Sequence, residues 1–147
     1  MSTPTDIISQ LTRDEGVRLE PYKDTRGFNT VGIGHNLDAN PLPGQTYPLT
    51  QAQAMQILGK DVERISMFLQ SKLPWIVKLD EARRGVLQNM SFNLGVPGLL
   101  EFHHDLADTQ AGNYQQAALD MEASAWYKEV GDRAKRLVQQ MRTGDWQ

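Results

Sequence analysis

Between residues 14 and 35 the chain reads DEGVRLEPYKDTRGFNTVGIGH, which sets Glu15, Asp24 and Thr30 across a glycine-punctuated bend. Two carboxyl groups and a hydroxyl are the parts that hydrolysis of a glycosidic bond needs. One carboxyl, protonated, donates to the leaving oxygen, while the other, ionised, stabilises positive charge and orients or activates water. A threonine hydroxyl can hold that water. Each residue also has an ordinary structural use. A glutamate is most often a solvated surface carboxylate. Asp24 in Asp24-Thr25-Arg26-Gly27 is a turn former able to cap Arg26 and Gly27, and a β-branched threonine suits a strand. Spacing alone leaves both readings open.

The elements that must position these residues are legible in outline. Thr3-Pro4 offers a cap and a first helical residue, Ile7, Ile8 and Leu11 recur at helical spacing, and Gly16 ends the run. A helix is therefore expected over about 3–15, with Glu15 four residues beyond Leu11, on or beside the apolar face. Residues 17–35 mix Val17, Leu19, Tyr22, Phe28, Val31 and Ile33 with turn residues, which predicts a hairpin or short meander. The prolines and glycine of 36–48 predict loop. Leu49-Thr50-Gln51-Ala52-Gln53 is a capping box, and the stripe Ala54, Ile57, Leu58, Val62, Ile65 carries a helix over about 51–69. Further helices are expected over about 79–94, in one or two short pieces after Pro97-Gly98, and over about 113–125. Asp132 is placed to cap a final helix that buries Ala134, Leu137, Val138 and Met141. The fold class is α+β, a small antiparallel sheet lobe and a predominantly helical lobe joined by a long helix. One domain over 1–147 is expected: a β-containing lobe over about 12–50, the bridging helix, and a helical lobe over about 70–147 packed with helix 3–15.

Composition narrows the function classes. A chain of 147 residues buries roughly 70% of its unfolded surface, so it needs no disulfide or metal to fold. The absence of cysteine removes disulfides, thiolate nucleophiles and cysteine-ligated metals together. No run approaches the roughly 18 apolar residues of a membrane span, and the N-terminus reads as a capped helix rather than a signal peptide or anchor. A net charge of −3 disfavours nucleic acid as the main partner. Lys128, Arg133, Lys135, Arg136 and Arg142 nevertheless outnumber Glu129, Asp132 and Asp145 near the C-terminus and could form a basic face.

The residues Glu15-Gly16, Arg18-Leu19, Tyr22-Lys23-Asp24-Thr25, Gly27, Thr30 and Gly32-Ile33-Gly34-His35 resemble the signature of the phage-type lysozymes, the muramidases of double-stranded DNA phages. The resemblance resumes at Lys60-Asp61-Val62, Ala82-Arg83-Arg84, Asn89-Met90, Phe92, Trp126-Tyr127, Arg133-Ala134-Lys135-Arg136, Arg142-Thr143-Gly144 and Trp146, in order along nearly the whole chain. It implies Glu15 as general acid, with Asp24 and Thr30 positioning water and Asp24 stabilising the oxocarbenium-like transition state. It implies inversion at the anomeric carbon, hence carboxyl groups about 6.5–9.5 Å apart. It pairs Arg133 with the catalytic glutamate, and His35 with Asp61 as a structural ion pair rather than a metal site. Arg18, Phe28, Leu37 and Asn93 flank the matched segments and are the expected cleft lining. Asn93 departs from the family's T-even branch, which carries a glutamine there, and the segment around Ser66–Leu79 is shorter.

The expected activity is cleavage of the β-1,4 bond between N-acetylmuramic acid and N-acetylglucosamine in peptidoglycan, by a monomer without metal or other cofactor. Host cytoplasm before release, access to the periplasmic wall through a separate holin lesion, and no stable membrane insertion complete the expectation. Peptidoglycan carries carboxylates, so an acidic protein is drawn to it weakly and would use the 128–142 basic face. Rival readings are a lytic transglycosylase on the same bond, a non-catalytic wall-binding or structural module, and chitin as the preferred substrate.

Overall fold

The computed structural model describes residues 2–147. Its elements run α1 (Ile7–Glu15), β1 (Arg18–Lys23), β2 (Asn29–Gly32), β3 (His35–Asn36), α2 (Gln51–Lys72), a 3-10 turn (Pro74–Lys78), α3 (Glu81–Leu94), α4 (Val96–Leu100), α5 (His103–Gln110), α6 (Tyr114–Glu122), α7 (Ala125–Val130) and α8 (Asp132–Thr143). Among the described residues this is an α+β protein with one three-stranded antiparallel sheet of order β1-β2-β3. The chain divides into two units. One is Ile8–Arg64, and the other comprises the residues up to Ile7 together with Ile65–Gln147.

In the Ile8–Arg64 unit, α1 stops where Gly16 takes a left-handed φ of 72° and its N–H closes on the Thr12 carbonyl at 3.1 Å. The helix begins at Ile7, not at Thr3-Pro4, so the proposed cap lies outside it. The sheet follows in register Tyr22 to Thr30 and Lys23 to Asn29, with an irregularity between Arg18 and Tyr22. Pro21 falls within that stretch. It lacks an N–H and sits on an edge strand, where the ladder tolerates it. Val31 and Ile33 are buried, as are Leu49, Ala54 and Leu58. A Cβ on Gly32 would lie 3.5 Å from Leu49 Cδ1 and 3.7 Å from Ala54 Cβ, so β2 packs closely on the start of α2. The capping box there is reciprocal: Gln53 N–H donates to Thr50 Oγ1 at 3.0 Å, and Thr50 N–H donates to Gln53 Oε1 at 2.9 Å.

In the other unit, α3 carries the core. Val86, Leu87 and Met90 are inaccessible and cluster with Leu99, Met121, Trp126, Leu137 and Met141. Phe102 meets Trp126 edge to face at 6.0 Å. Ala134, Leu137, Val138 and Met141 form the buried face of α8. Two boundaries differ from the sequence expectation. The helix expected over about 113–125 is α6, which ends at Glu122, and a further short helix follows it, α7, started by the Ser124 side chain accepting from Tyr127 N–H. Asp132 is the first residue of α8, and Gly131 occupies the cap with φ 75°. The C-terminal basic face is also partly neutralised, since Arg142 lies 2.7 Å from Glu122 and Lys135 3.9 Å from Asp132.

Candidate active site

Glu15, Asp24 and Thr30 all belong to the Ile8–Arg64 unit. Glu15 is the last residue of α1 and half-buried. Its carboxylate rests against Gly34: a Cβ built there would meet Glu15 Oε1 at 2.5 Å and Cδ at 2.9 Å. Gly34 also has φ 66°, so two independent constraints favour glycine beside this side chain. The neighbouring Asp14 side chain is 1% exposed and paired to Arg13 Nε at 3.0 Å.

Asp24 opens the β1–β2 turn. Gly27 N–H closes the turn on the Asp24 carbonyl at 3.0 Å, so Gly27 is spent there. The carboxylate caps Arg26 and Phe28 instead of Arg26 and Gly27, accepting both N–H groups on Oδ1 at 2.9 Å. Both bonds fall on one oxygen, and Oδ2 keeps its lone pairs for another partner. Thr30 is buried, 3% exposed, and its hydroxyl donates to the Phe28 carbonyl at 2.9 Å. The main chain of Phe28 therefore holds Asp24 through its N–H and Thr30 through its C=O.

Tyr22 lies within the electrostatic reach of both acids. It stands opposite Thr30 in the sheet. Burial pushes its phenol above the usual value, and the charges of Glu15 and Asp24 push it the same way, against Arg18. Arg18 lies over the Tyr22 ring at 3.9 Å. Tyr22 was visible in the sequence only as a motif letter, because nothing in spacing says which way a strand residue faces.

The remaining expected residues are distributed as follows. Arg18 is exposed and Phe28 half-buried, with Arg26 over the Phe28 ring at 5.2 Å. Leu37 donates its N–H to the Asn29 carbonyl at 2.8 Å. Asn93 belongs to the other unit, where its Oδ1 accepts from Trp126 Nε1 at 2.9 Å. Arg133, also in that unit, donates from Nε to Asn89 Oδ1 at 2.9 Å. His35 Nδ1 lies 2.7 Å from Asp61 Oδ2, joining β3 to α2, and both residues are 3% exposed. Burial pulls the His35 ring toward neutrality, but the Asp61 bond and charge, with the Asn40 carbonyl, outweigh it and raise its pKa.

A family model described as phage lysozyme matches residues 12–143. The chain is 28% identical over 162 residues to the probable T4-type lysozyme 1 of Dictyostelium discoideum, covering 95% of each protein. It is 29% identical over 134 residues to the endolysin of Salmonella phage P22, covering 89% of this chain and 86% of that one. A third relative is the pre-baseplate central spike protein Gp5 of Enterobacteria phage T4, 28% identical over 169 residues. That match takes in 97% of this chain but spans only 29% of the spike protein. With a family model spanning nearly its whole length and relatives matched end to end, the chain belongs to the phage lysozyme family.

Proposed function

We propose that this lysozyme hydrolyses the β-1,4 bond between N-acetylmuramic acid and N-acetylglucosamine, with Glu15 protonating the leaving oxygen and Asp24 and Thr30 holding the attacking water. The observation that carries the reading is the shared anchor of Asp24 and Thr30 on the Phe28 main chain. The Thr30 hydrogen is spent on a carbonyl, so its oxygen is left as an acceptor, like Asp24 Oδ2. A water donating to both acceptors turns a lone pair outward for attack. That favours hydrolysis over a transglycosylase, which uses the sugar's own hydroxyl and needs no water holder. Attack by water from the face opposite the acid inverts the anomeric centre, and the two carboxyl groups should then stand about 6.5–9.5 Å apart.

The chemistry asks for no metal or organic cofactor, and a monomer suffices. Residence in the host cytoplasm until a separate membrane lesion opens the periplasm fits an endolysin role, as in the P22 relative. The match to Gp5 favours a second reading, in which the same domain serves a phage spike. Digestion of purified peptidoglycan by the wild type and by Glu15→Gln tests the chemistry. The wild type should leave muramic acid reducing ends of inverted configuration, read by mass and by NMR before mutarotation. The variant should lose at least 10²-fold in rate. Anhydromuramoyl ends, or full activity in the variant, would overturn the assignment. Lysis timing on expression with a holin separates the endolysin role from the spike role.

A further inference from the structure

A concavity of about 550 Å³ lies within the Ile8–Arg64 unit, and its lining includes none of Glu15, Asp24 and Thr30. That volume falls within the range of roughly 300–1,000 Å³ typical of ligand sites. One wall is a face of α2, where Gln56, Lys60 and Arg64 follow one another at four-residue steps. The other is the loop after β3, with Ala39, Pro41 and Leu42.

The charge of this pocket is set by hydrogen-bond geometry. Its one carboxylate, Asp61, is buried and has both oxygens occupied, Oδ2 by His35 at 2.7 Å and Oδ1 by Arg64 at 2.8 Å. His35 Nε2 lies 2.7 Å from the Asn40 carbonyl, which can only accept, so Nε2 carries hydrogen. Nδ1 faces a carboxylate, which favours hydrogen there too, and the ring is then the charged imidazolium. Three cations, counting exposed Lys60, thus stand against one fully engaged carboxylate, in a protein whose net charge is −3. Such a site attracts anions. Phosphate sites converge backbone N–H groups or several arginines. Here one ammonium, one guanidinium and the amides of Gln45, Gln53 and Gln56 surround the apolar side chains of Ala39, Pro41 and Leu42, which matches a carboxylate carried on a small apolar residue.

We infer that this pocket binds the C-terminal carboxylate of a short peptide stem of the bacterial wall, with Lys60 and Arg64 on the carboxylate and an alanine-sized side chain against Pro41 and Leu42. The inference rests on the muramidase reading for its source of ligand. Occupation would hold the enzyme on the wall at a point outside the catalytic set, offsetting the weak attraction of an acidic protein for an acidic polymer.

NMR titration of the full-length, ¹⁵N-labelled protein tests it with three probes: N-acetyl-D-alanyl-D-alanine, its C-terminal amide, and inorganic phosphate. The free acid should shift amides within 39–42 and 53–64, and the amide should bind at least about tenfold more weakly. Lys60→Gln should weaken the acid about tenfold, as the loss of one charge-assisted hydrogen bond predicts, and Leu42→Ser should weaken it independently. Equal binding of acid and amide, binding of phosphate without the peptide, or shifts confined to other residues would overturn the inference. Digestion of purified sacculi by the wild type runs alongside. Hydrolysis without peptide binding sinks the pocket alone, and peptide binding without hydrolysis sinks the muramidase reading.

Discussion

Gly34 concentrates the problem of holding an acid in place. Its missing side chain is the space in which the Glu15 carboxylate rests, and the carboxylate is the flexible end of its residue. Alanine at 34 should therefore displace the acid more than it unfolds the protein. The expected result for Gly34→Ala is a fall of about 10² in turnover, the usual consequence of a misplacement near 1 Å. The accompanying stability loss, from a left-handed residue gaining a Cβ, is about 1–2 kcal/mol by urea unfolding. A large stability loss with unchanged turnover would remove Gly34 from this role. At this scale the sequence was half legible. The stripe Ile7, Ile8, Leu11 pointed to Glu15, and the turn signal pointed to Asp24. Neither the Gly34 cradle nor the electrostatic link of Tyr22 to both acids was readable, because each depends on residues brought together by the folding of 15–34.

Secondary structure was legible where a reciprocal pair of local hydrogen bonds marks the boundary, and was missed at Ser124, where a single side-chain cap starts α7. Thr50 and Gln53 form their capping box in three residues of sequence, and α2 starts where that box predicts. It ends at Lys72 rather than 69, since the apolar pattern fades before the backbone does. The C-terminus of α8 is a different case. Arg83 of α3 donates from Nε to the Met141 carbonyl at 2.7 Å and from Nη2 to the Arg142 carbonyl at 3.1 Å. Its guanidinium also lies 3.7 Å from the centre of the Tyr114 ring. An arginine thus satisfies the orphan carbonyls of a helix some sixty residues away, where the helix dipole favours a cation. Arg83→Ala should cost about 2–3 kcal/mol in urea unfolding, and Arg83→Lys should recover only part, because a lysine cannot fork to two carbonyls. If alanine proved neutral, the clamp would be ornamental.

Across the whole molecule, two buried groups link stability to pH, one in each unit. Asp105 on α5 is 2% exposed, and its Oδ2 has no hydrogen-bond partner among the described residues. Burial raises its pKa to about 7; Thr109 opposes this, and the charges of Asp120 on α6 and Asp108 reinforce it. Its folded value exceeds the ordinary 3.8, so its contribution is full below pH 3.8 and lost as pH rises through about 7. His35 is likewise raised, and its contribution is full below about pH 6.5 and lost as pH rises through its folded value. Thermal stability should accordingly fall from pH 5 to pH 9. Asp105→Asn should remove most of the neutral-range slope and gain on the order of 2–4 kcal/mol at pH 8, with little gain at pH 4. His35→Asn should cost roughly 3 kcal/mol at pH 5 and less at pH 9, because it removes the cation from Asp61 Oδ2 and leaves only Arg64 on the buried carboxylate. Melting curves for both variants across this range decide the matter, and a flat wild-type profile would refute both.

By itself the sequence determined the helices with strong apolar stripes, the turn at Asp24 and the α+β class, and it singled out the three residues proposed to carry the reaction. Those features depend on periodicity, on short-range hydrogen bonds, or on several short motifs occurring in order. Tertiary structure alone decided that the Glu15 carboxylate rests against Gly34, that the Asp14 side chain is covered, and that Asp105 is buried near the charges of Asp108 and Asp120. It also made His35, Lys60 and Arg64 the cationic side of a pocket rather than isolated charges. Burial and charge environment are sums over neighbours distant in the chain, and no local pattern of residues carries that sum.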